Sequence, residues 1–551
     1  MRYILKKHAF TLCVLLMFLF FAPGGAAWGA TFSGDGSGTA TDPYIITTAA
    51  QLDEARNFLD SHFKLENDID LTDYLAESSA GWLPIGTNTD PFTGGFDGNN
   101  KKITELWIDQ TDEDYLGLFG RASNATISNL GVEISAAGVS GKDYIGSLLG
   151  YQVGGSITDC CAAGNITATG IHIGGLVGYL GSGGNIIDSY AAGDITTTED
   201  FVGGLVGYQD SYSQITTSYA TGNVSGASNT GGLVGYQTSD SQITSCHTAG
   251  NVSGRHYVGG LVGRQASNSQ ITTSYATGCI TATGNSTGGL VGYQASDSQI
   301  MTCYATSNII STGDNAGGLV GYQYEGSITN SYATGDVSSV GNIGGLVGYQ
   351  TSSSQITNSF ATGNIVSTGD NSGGLAGYQD GGSSIENCYA MGNITSTGEN
   401  TGGLVGNQSS DSTITNSYRY IYLTINGDLI STVDPSGNHG GVRNLTQFKT
   451  QSTYSDSTTL GGGGWLFNPY GPWHWDDEGF PKLNMGVEEN PFVTGTQEAT
   501  ATLKVSFQGR TAESPANVEM LTVKWIKGGV VIAPEQTTAT SENGEAPITL
   551  P

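Results

Sequence analysis

The sequence predicts an all-β fold, a parallel β-solenoid in which one short unit is stacked on itself about eleven times. The segment GGLVGYQ and its close variants recur eleven times at intervals of 27 to 30 residues, and such a period is typical of stacked repeats. Each unit consists of three short β-like stretches between Gly-, Ser-, Asn- and Asp-rich turns. No unit shows the 3.6-residue apolar period of a helix. The central leucines are Leu118, Leu148, Leu176, Leu205, Leu233, Leu261, Leu290, Leu319, Leu346, Leu375 and Leu404.

Alignment of the units in columns supports this architecture. An isoleucine recurs in every unit from the second onward, a small residue follows three positions later, and a mostly aromatic residue comes next. Stacked coils turn each column into a ladder with rungs about 4.8 Å apart, so we expect the leucines and isoleucines to form the core. The spacing does not decide whether the aromatic ladder lies outside or fills a corner. The isoleucines are Ile157, Ile186, Ile215, Ile243, Ile271, Ile300, Ile328, Ile356, Ile385 and Ile414.

Four cysteines share the small-residue column with serines. Cys160, Cys246, Cys303 and Cys388 lie two or three coils apart, a distance of about 10–14 Å that a disulfide cannot bridge. We therefore predict free thiols that fill space in the core.

Composition limits the partners and the location. Formal charge is −30, from 19 basic and 49 acidic residues, which disfavours binding to nucleic acid or an anionic membrane. Residues 1–30 resemble a secretory signal, with basic residues at the start, an apolar run over residues 9–22 and small residues at 24–30. No later run is apolar enough to predict a membrane span. The prediction is a secreted or cell-surface protein.

The Gly-Leu-(Val/Ala/Phe)-Gly core, as in residues 175–178 and 374–377, resembles the GLUG motif of bacterial exported proteins. The flanking segments, among them WLPIG, FTGGFDGNNKKITEL and GGGGWLFNPYGPWHWDDEGFPKL, resemble those that accompany such repeats. The resemblance covers about residues 31–490 and implies a surface-exposed, adhesin-like protein or the non-catalytic part of a larger protease. No HExxH motif is present, so protease activity is not carried over. With general crossover chirality, the resemblance also implies right-handed coiling. The second copy departs from the motif at Ser147.

The chain divides into five predicted segments. A short capping helix over Ala49–Leu59, with Thr47 or Thr48 as its N-cap, and strands around 63–71 and 103–108 would begin the solenoid. Large aromatics, Trp465, Trp473, Trp475 and Phe480, would close its other end or form a sugar-binding platform. The final strands alternate like part of an immunoglobulin-like β-sandwich. The segments are 1–30 (signal peptide), 31–112 (N-terminal cap and first strands), 113–420 (repeat solenoid), 421–490 (aromatic cap) and 491–551 (partial β-sandwich).

Two catalytic arrangements are conceivable on a parallel β-helix. A lyase needs a basic residue near acidic ligands, and the stretch from Tyr151 to Tyr418 holds only Arg255 and Arg264. Asp159 and Asp188 share a column in adjacent coils, at a separation that suits a retaining glycosidase pair. That column continues with Thr, Ser and Asn, however, which also describes a polar turn ladder.

Metal sites have little support in the sequence. His172, His247 and His256 show no metal-ligand spacing, and His247 replaces a tyrosine in the aromatic column. Acidic loop residues could bind Ca²⁺ weakly, although a solvated acidic edge explains them as well. They are Asp200, Asp210, Asp240, Asp297, Asp314, Asp370, Asp380, Glu399 and Asp411.

The sequence thus predicts a secreted or cell-surface, non-catalytic repeat protein that binds or displays a ligand in the manner of an adhesin. A carbohydrate-active enzyme on the same fold and a spacer within a longer surface protein are the alternatives. No catalytic, cofactor-binding or metal-ligating residues are assigned. The expected partner is a glycan or a protein at a surface, and no cofactor is predicted apart from weak Ca²⁺ binding.

Overall fold

The computed structural model describes residues 31–450 and, beyond them, only the backbone of short strands. The chain divides into two units, Met1–Asn484 and Met485–Pro551. The predicted signal peptide lies outside the described residues. So do the side chains of the aromatic residues predicted to cap the solenoid (Trp465, Trp473, Trp475 and Phe480), where the backbone is described for Trp473–Trp475 paired antiparallel with Pro481–Leu483. In the second unit, Leu521–Val523 pairs antiparallel with Gln536–Thr538, and Ile526–Lys527 with Val530–Val531. The predicted β-sandwich otherwise lies outside the described residues.

The first unit is a parallel β-solenoid of about 13 coils. A typical coil contains five short strands, and each pairs in parallel with its equivalent in the next coil. We name the five stacks the glycine, motif, isoleucine, tyrosine and valine ladders. In one coil they are represented in that order by Val202–Gly203, Val206–Gln209, Gln214–Thr216, Tyr219–Ala220 and Val224–Ser225.

The glycine and motif ladders form separate sheets of 10 and 11 strands. The glycine ladder contains Ile145–Gly146, Ile173–Gly174, Val202–Gly203, Ser228–Gly231, His256–Gly259, Thr287–Gly288, Asp314–Gly317, Gly341–Gly344, Ser372–Gly373 and Thr401–Gly402. The motif ladder contains Phe119–Ser123, Leu149–Val153, Val177–Gly181, Val206–Gln209, Val234–Gln237, Val262–Gln265, Val291–Ala295, Val320–Tyr324, Val347–Thr351, Ala376–Gln379 and Val405–Gln408.

The other three ladders belong to one sheet of 37 strands, because two long strands, Gly95–Asp109 and Thr126–Gly141, run through all of them. The isoleucine ladder continues with Ser156–Thr158, Asn185–Ile187, Gln214–Thr216, Gln242–Thr244, Gln270–Thr272, Gln299–Met301, Ser327–Thr329, Gln355–Thr357, Ser384–Glu386 and Thr413–Thr415. The tyrosine ladder contains Cys161–Ala163, Tyr190–Ala191, Tyr219–Ala220, His247–Thr248, Tyr275–Ala276, Tyr304–Ala305, Tyr332–Ala333, Phe360–Ala361, Tyr389–Ala390, Tyr418–Tyr420 and Gly441–Arg443. The valine ladder contains Ile166–Ala168, Ile195–Thr196, Val224–Ser225, Val252–Gly254, Ile280–Ala282, Ile309–Ser311, Val337–Ser339, Ile365–Ser367, Ile394–Ser396 and Thr424–Ile425, the last paired antiparallel with Asp428–Leu429.

The core consists of the predicted columns. Every central leucine and every isoleucine of the isoleucine ladder is buried, which confirms that prediction. In the tyrosine ladder the alanine points inward and is buried, while most of the rings are only half-buried. The aromatic column therefore lies on the outside, where its rings stack at 4.7–5.0 Å from Tyr190 to Tyr389.

The paired glycines of the motif are explained by the close approach of neighbouring coils. A Cβ atom on Gly260 would lie 2.1 Å from the carbonyl oxygen of Gly289 and 2.8 Å from the Cβ atom of Ala276. One on Gly259 would lie 2.0 Å from the carbonyl oxygen of Val262 in its own coil and 2.7 Å from the backbone nitrogen of Gly292 in the next. A side chain at either position would push the coils apart, so the motif specifies tight coil-to-coil packing.

The first coils begin before the first motif copy, which is why the structure has about 13 coils where the repeats predict eleven. Tyr44–Ile46 pairs in parallel with His62–Leu65, which pairs with Gly95–Asp109. A short strand, Ile69–Asp70, pairs with the same long strand. The predicted capping helix is present as α1 (Ala49–Glu54) and a 3₁₀ turn (Ala55–Asn57), with Thr48 Oγ1 accepting the N-cap bond from the Gln51 N–H. A second short helix, α2 (Thr72–Leu75), follows.

The other end is closed by residues 419–448. The guanidinium group of Arg419, almost fully buried, donates to the carbonyl oxygens of Ile430 and Thr432 at 2.9 and 2.7 Å. Helix α3 (Leu445–Phe448) places Phe448 over the last buried ring, Tyr389, at 4.8 Å. The right-handed sense of coiling stays a prediction.

Candidate functional site: an aromatic corner and its cleft

One corner of the coil departs from the uniform repeat. It lies just before the glycine ladder, and its residues adopt left-handed backbone angles, with φ between 43° and 67°. Asn is favoured there because its short side chain tolerates this conformation. The corner column runs Tyr115, Tyr144, His172, Phe201, Asn229, Tyr257, Ser286, Asn315, Asn342, Asn371 and Asn400.

The later part of this column is an asparagine ladder. The side-chain amide of Asn342 donates to Asn315 at 2.9 Å, Asn371 to Asn342 at 2.8 Å, and Asn400 to Asn371 at 3.1 Å. These bonds satisfy hydrogen-bonding groups of the corner side chains within the repeat itself, so this part of the column has a structural role.

The first four members form a stack of rings that we call the aromatic corner (Tyr115, Tyr144, His172, Phe201). Their centroids are 4.9, 4.8 and 5.1 Å apart, and successive planes are within 17° of parallel. Bulky residues are uncommon at positive φ, so this run of four is not explained by backbone preference.

The motif tyrosines form a second stack beside the aromatic corner. Tyr151 and Tyr179 stack at 4.4 Å, and Tyr179 stacks on Tyr208 at 5.2 Å. These rings meet the aromatic corner edge to face, as Tyr144 and Tyr151 do at 5.1 Å and 76°. The two stacks together make an aromatic surface across the first repeat coils.

A cleft opens at the start of the aromatic corner. Its volume is about 400 Å³, and one wall comes from the turn over residues 84–89 and the other from residues 110–116. Polar and acidic side chains dominate the lining, and Tyr115 is its aromatic residue. The lining residues are Pro84, Gly86, Thr87, Asn88, Thr89, Gln110, Asp112, Glu113, Asp114, Tyr115 and Leu116.

The cleft is held in shape by neighbouring coils. Asp114 accepts the backbone N–H of Asp143 at 3.2 Å, and the ammonium group of Lys142 lies 3.9 Å from its carboxylate. Gln110 donates from Nε2 to the carbonyl oxygen of Trp82 at 3.1 Å. Asp112 and Glu113 are exposed, so the rim of the cleft is negatively charged.

Burial shifts the pKa of three members of the aromatic corner, among them the Tyr144 hydroxyl, whose pKa desolvation raises. Desolvation raises the pKa of the Tyr115 hydroxyl, opposed by the positive charge of Arg121. Desolvation also lowers the pKa of His172 to about 4. His172 is therefore a neutral ring at physiological pH, stacked between Tyr144 and Phe201.

The residues considered for catalysis occupy structural positions. Asp159 and Asp188 lie in the bend between the isoleucine and tyrosine ladders, with φ values of 52° and 49°. Later bends hold Thr, Ser and Asn with the same left-handed angles, and Asn358 donates to Asn330 at 3.2 Å. This favours the polar turn ladder over a catalytic pair. Burial, followed by the charge of Asp188, raises the pKa of Asp159.

The repeat arginines do not come together with a carboxylate pair. The guanidinium group of Arg264 lies 5.1 Å from the ring centroid of Tyr236 and 5.2 Å from that of Tyr293, so it replaces a motif tyrosine within the stack. Arg255 is exposed in the bend between the valine-ladder strand Val252–Gly254 and the glycine-ladder strand His256–Gly259.

The histidines outside the aromatic corner also have packing or hydrogen-bonding roles. His247 stacks between Tyr219 and Tyr275 at 4.9 Å on each side, which confirms its interpretation as a packing residue. His256 Nδ1 accepts the backbone N–H of Asn285 at 2.9 Å. Within residues 31–450 no group of three or more His, Cys, Asp or Glu side chains could hold a metal ion.

Several acidic loop residues bind the next coil or their own loop. Asp200 accepts the N–H of Ser228 at 2.8 Å, Asp370 that of Glu399 at 2.7 Å, and Asp210 accepts the Tyr179 hydroxyl at 2.8 Å. Weak Ca²⁺ binding stays a prediction.

The four cysteines of the small-residue column are buried and unpaired, as predicted. Each thiol points at main-chain carbonyl oxygens, as Cys303 does at 3.2 Å from the Met301 oxygen. Cys279 is exposed on a different column.

Two features were not predicted. The aromatic corner could have been found from its spacing, since Tyr144, His172 and Phe201 each precede a central leucine by four residues. The column was not recognised because it contains several different residue types. The motif glutamine is fully buried: Gln265 Nε2 donates to the carbonyl oxygens of Ser269 and Gln299 at 3.0 and 3.1 Å. It ties the end of the motif ladder to the following bend.

Comparisons with known proteins agree with the repeat. The model of the family described as the GLUG motif matches residues 169–196, 202–225, 254–283, 283–310, 312–338, 339–366 and 368–395. A protein named as a Gly-rich membrane protein from Evansella cellulosilytica is 39% identical over 157 residues, which is 28% of this chain and 18% of that protein. Halomucin from Haloquadratum walsbyi is 32% identical over 163 residues, 28% of this chain and 2% of that protein. The matches thus span less than a fifth of these relatives.

A crystal structure described as an immunoglobulin A1 protease from Bacteroides ovatus aligns with 82% of this chain and 95% of its own, at 18% identity and a TM-score of 0.26.

Among the described residues no helix is long and apolar enough to cross a membrane. The repeat region of this chain thus contains seven matches to the GLUG motif, all between residues 169 and 395.

Proposed function

We propose that this chain is an exported, non-catalytic surface protein that binds a glycan or protein through its aromatic corner and cleft. The observation that carries the proposal is the break in the repeat: the last four members of the corner column form an asparagine ladder, whereas the first four are stacked rings, of which Tyr115 lines the cleft. Function is commonly located where a regular scaffold departs from its own pattern.

Two further observations support surface display. Residues 1–30 have the pattern of a secretory signal, and one relative is named as a membrane protein. An acidic, tightly packed solenoid suits exposure outside the cell, because high net charge keeps a protein soluble.

The test is a binding assay in which retention and chemistry are scored together. The purified chain is incubated with neutral and acidic glycans and with extracellular-matrix proteins, in Ca²⁺ or in a chelator. Retention without released product is expected. Product release would overturn the non-catalytic proposal and direct attention to Asp159, Asp188, Arg255 and Arg264. No retention at all would favour a spacer, and retention lost with the chelator would support Ca²⁺ binding by the acidic loops.

A further inference from the structure

We propose that the cleft is a subsite for one pyranose ring of a neutral glycan, with Tyr115 as the ring on which the sugar stacks. This inference deepens the proposed function and rests on it, because it assigns a ligand class and a contact residue to the binding site.

The rings of the aromatic corner differ in which of their faces are open to a ligand. A ring inside a stack has a neighbour on each side, as Tyr144 has Tyr115 at 4.9 Å and His172 at 4.8 Å. Such rings present their edges to solvent. Tyr115 is the first ring of its column: Tyr144 stacks on one side, and Tyr115 lines the cleft. At the other end of the stack, Phe201 stacks with His172 at 5.1 Å and with Tyr236 at 6.0 Å. Tyr115 is therefore the member of the aromatic corner with a face available to a ligand.

The tyrosine ladder does not offer an equivalent open face at its ends. At one end, the guanidinium group of Arg443 lies 3.9 Å from the ring centroid of Tyr418, the last ring of the ladder. At the other end Cys161 stands in register with Tyr190, at the position where the next ring would be. The stacked outer ladder is thus closed, whereas the aromatic corner opens into a cleft.

The lining of the cleft fits a sugar ring. A pyranose has an apolar C–H face, which packs on an aromatic ring, and a rim of hydroxyl groups that both donate and accept hydrogen bonds. Tyr115 supplies the ring, and Thr87, Asn88, Asp112 and Glu113 supply polar groups around it. The volume of about 400 Å³ lies within the range of small-molecule sites.

Charge selects between glycan classes. Asp112 and Glu113 are exposed at the rim, and Asp114 is within 3.9 Å of Lys142. These two exposed carboxylates outnumber the one guanidinium group beside the cleft, that of Arg121, which donates to the carbonyl oxygen of Asn88 at 3.1 Å. The rim would therefore repel a uronic acid or sulfated sugar, so a neutral sugar is the ligand that the cleft fits.

The column itself supplies matched variants. Tyr115→Asn removes the platform and installs the residue that later coils carry with the same left-handed backbone, as at Asn342 and Asn371. Tyr257→Asn makes the same exchange farther along the column and is the control. Tyr115→Phe keeps the ring and removes the hydroxyl.

The experiment is isothermal titration of the full chain with neutral tetrasaccharides of glucose, mannose and N-acetylglucosamine, with tetragalacturonate, and with choline. The wild-type chain should bind at least one neutral tetrasaccharide. Tyr115→Asn should raise its Kd about tenfold or more, while Tyr115→Phe and Tyr257→Asn stay within about threefold. Melting temperatures of the variants report whether the coil is intact.

Three results would overturn the inference: no neutral tetrasaccharide binds, Tyr115→Asn binds as the wild type does, or only choline or tetragalacturonate binds. Choline binding that is lost in Asp112→Asn would identify a cation site instead. If the chain still retains a protein in the surface-binding assay, the proposed function stands without this subsite. If the chain retains no glycan or protein in that assay, both the proposed function and the subsite are refuted.

Discussion

Ile271 provides the sharpest test of the coil register. It is fully buried in the isoleucine ladder, in register with Ile243 and Ile300. Replacing it with alanine removes three carbon atoms from a packed interior, at about 0.8 kcal/mol for each buried methylene, before the cavity is counted. The whole loss should lie in the range of about 2–5 kcal/mol that is measured for such substitutions.

Thr272→Ala is the matched control, because Thr272 is the next residue of the same strand and points outward. Its hydroxyl shares one hydrogen bond with Thr244 at 3.1 Å, so its loss should cost about 1 kcal/mol or less. The assay is guanidinium denaturation followed by circular dichroism, with amide hydrogen exchange to localise the effect, since coils contact only their neighbours. Equal shifts in the two variants would show that Ile271 is not a core residue and that the register is wrong.

Three other predictions concern burial and packing. Burial lowers the pKa of His172 to about 4 in the folded chain, whereas in the unfolded chain this histidine takes up its proton near pH 6.5. The free energy of unfolding should therefore fall by up to about 3 kcal/mol as the pH drops from about 6.5 to about 4. His172→Tyr should remove this part of the pH dependence of the melting temperature. Gly260→Ala would place a Cβ atom 2.1 Å from the Gly289 oxygen and should destabilise the chain by about 1–3 kcal/mol in denaturant melts; a wild-type midpoint would contradict the tight coil packing. Iodoacetamide should label exposed Cys279 in the native chain, and Cys246 and Cys303 only after unfolding, since burial raises their pKa to about 12; mass spectrometry that finds them labelled in the native chain would contradict their burial.

The repeat made most of the fold predictable. A column such as the one containing Ile271 can be read directly from the sequence, because stacked coils place equivalent residues in the same environment. The N-cap at Thr48 was also predictable, since a hydroxyl residue before a helix accepts its first N–H groups. The coil count was less predictable: the strands beginning at Tyr44 and His62 pair in the solenoid without carrying the motif.

The candidate site was much harder to predict, for a physical reason. Tyr115 matters because of what lies on each side of its ring, and this depends on where the column starts and on the turn at residues 84–89 of the preceding coil. The burial of Gln265 was not predicted from the sequence. Its role depends on two carbonyl oxygens that become available only when the coil closes.

A crystal structure of the chain with the neutral tetrasaccharide that binds most tightly in the titrations would test the Tyr115 subsite directly. We expect a pyranose ring packed on the cleft side of Tyr115, with hydroxyl groups directed at Asp112 and Glu113. A sugar bound at Asp159 and Asp188, or on the outside of the tyrosine ladder with the Tyr115 cleft empty, would contradict this expectation.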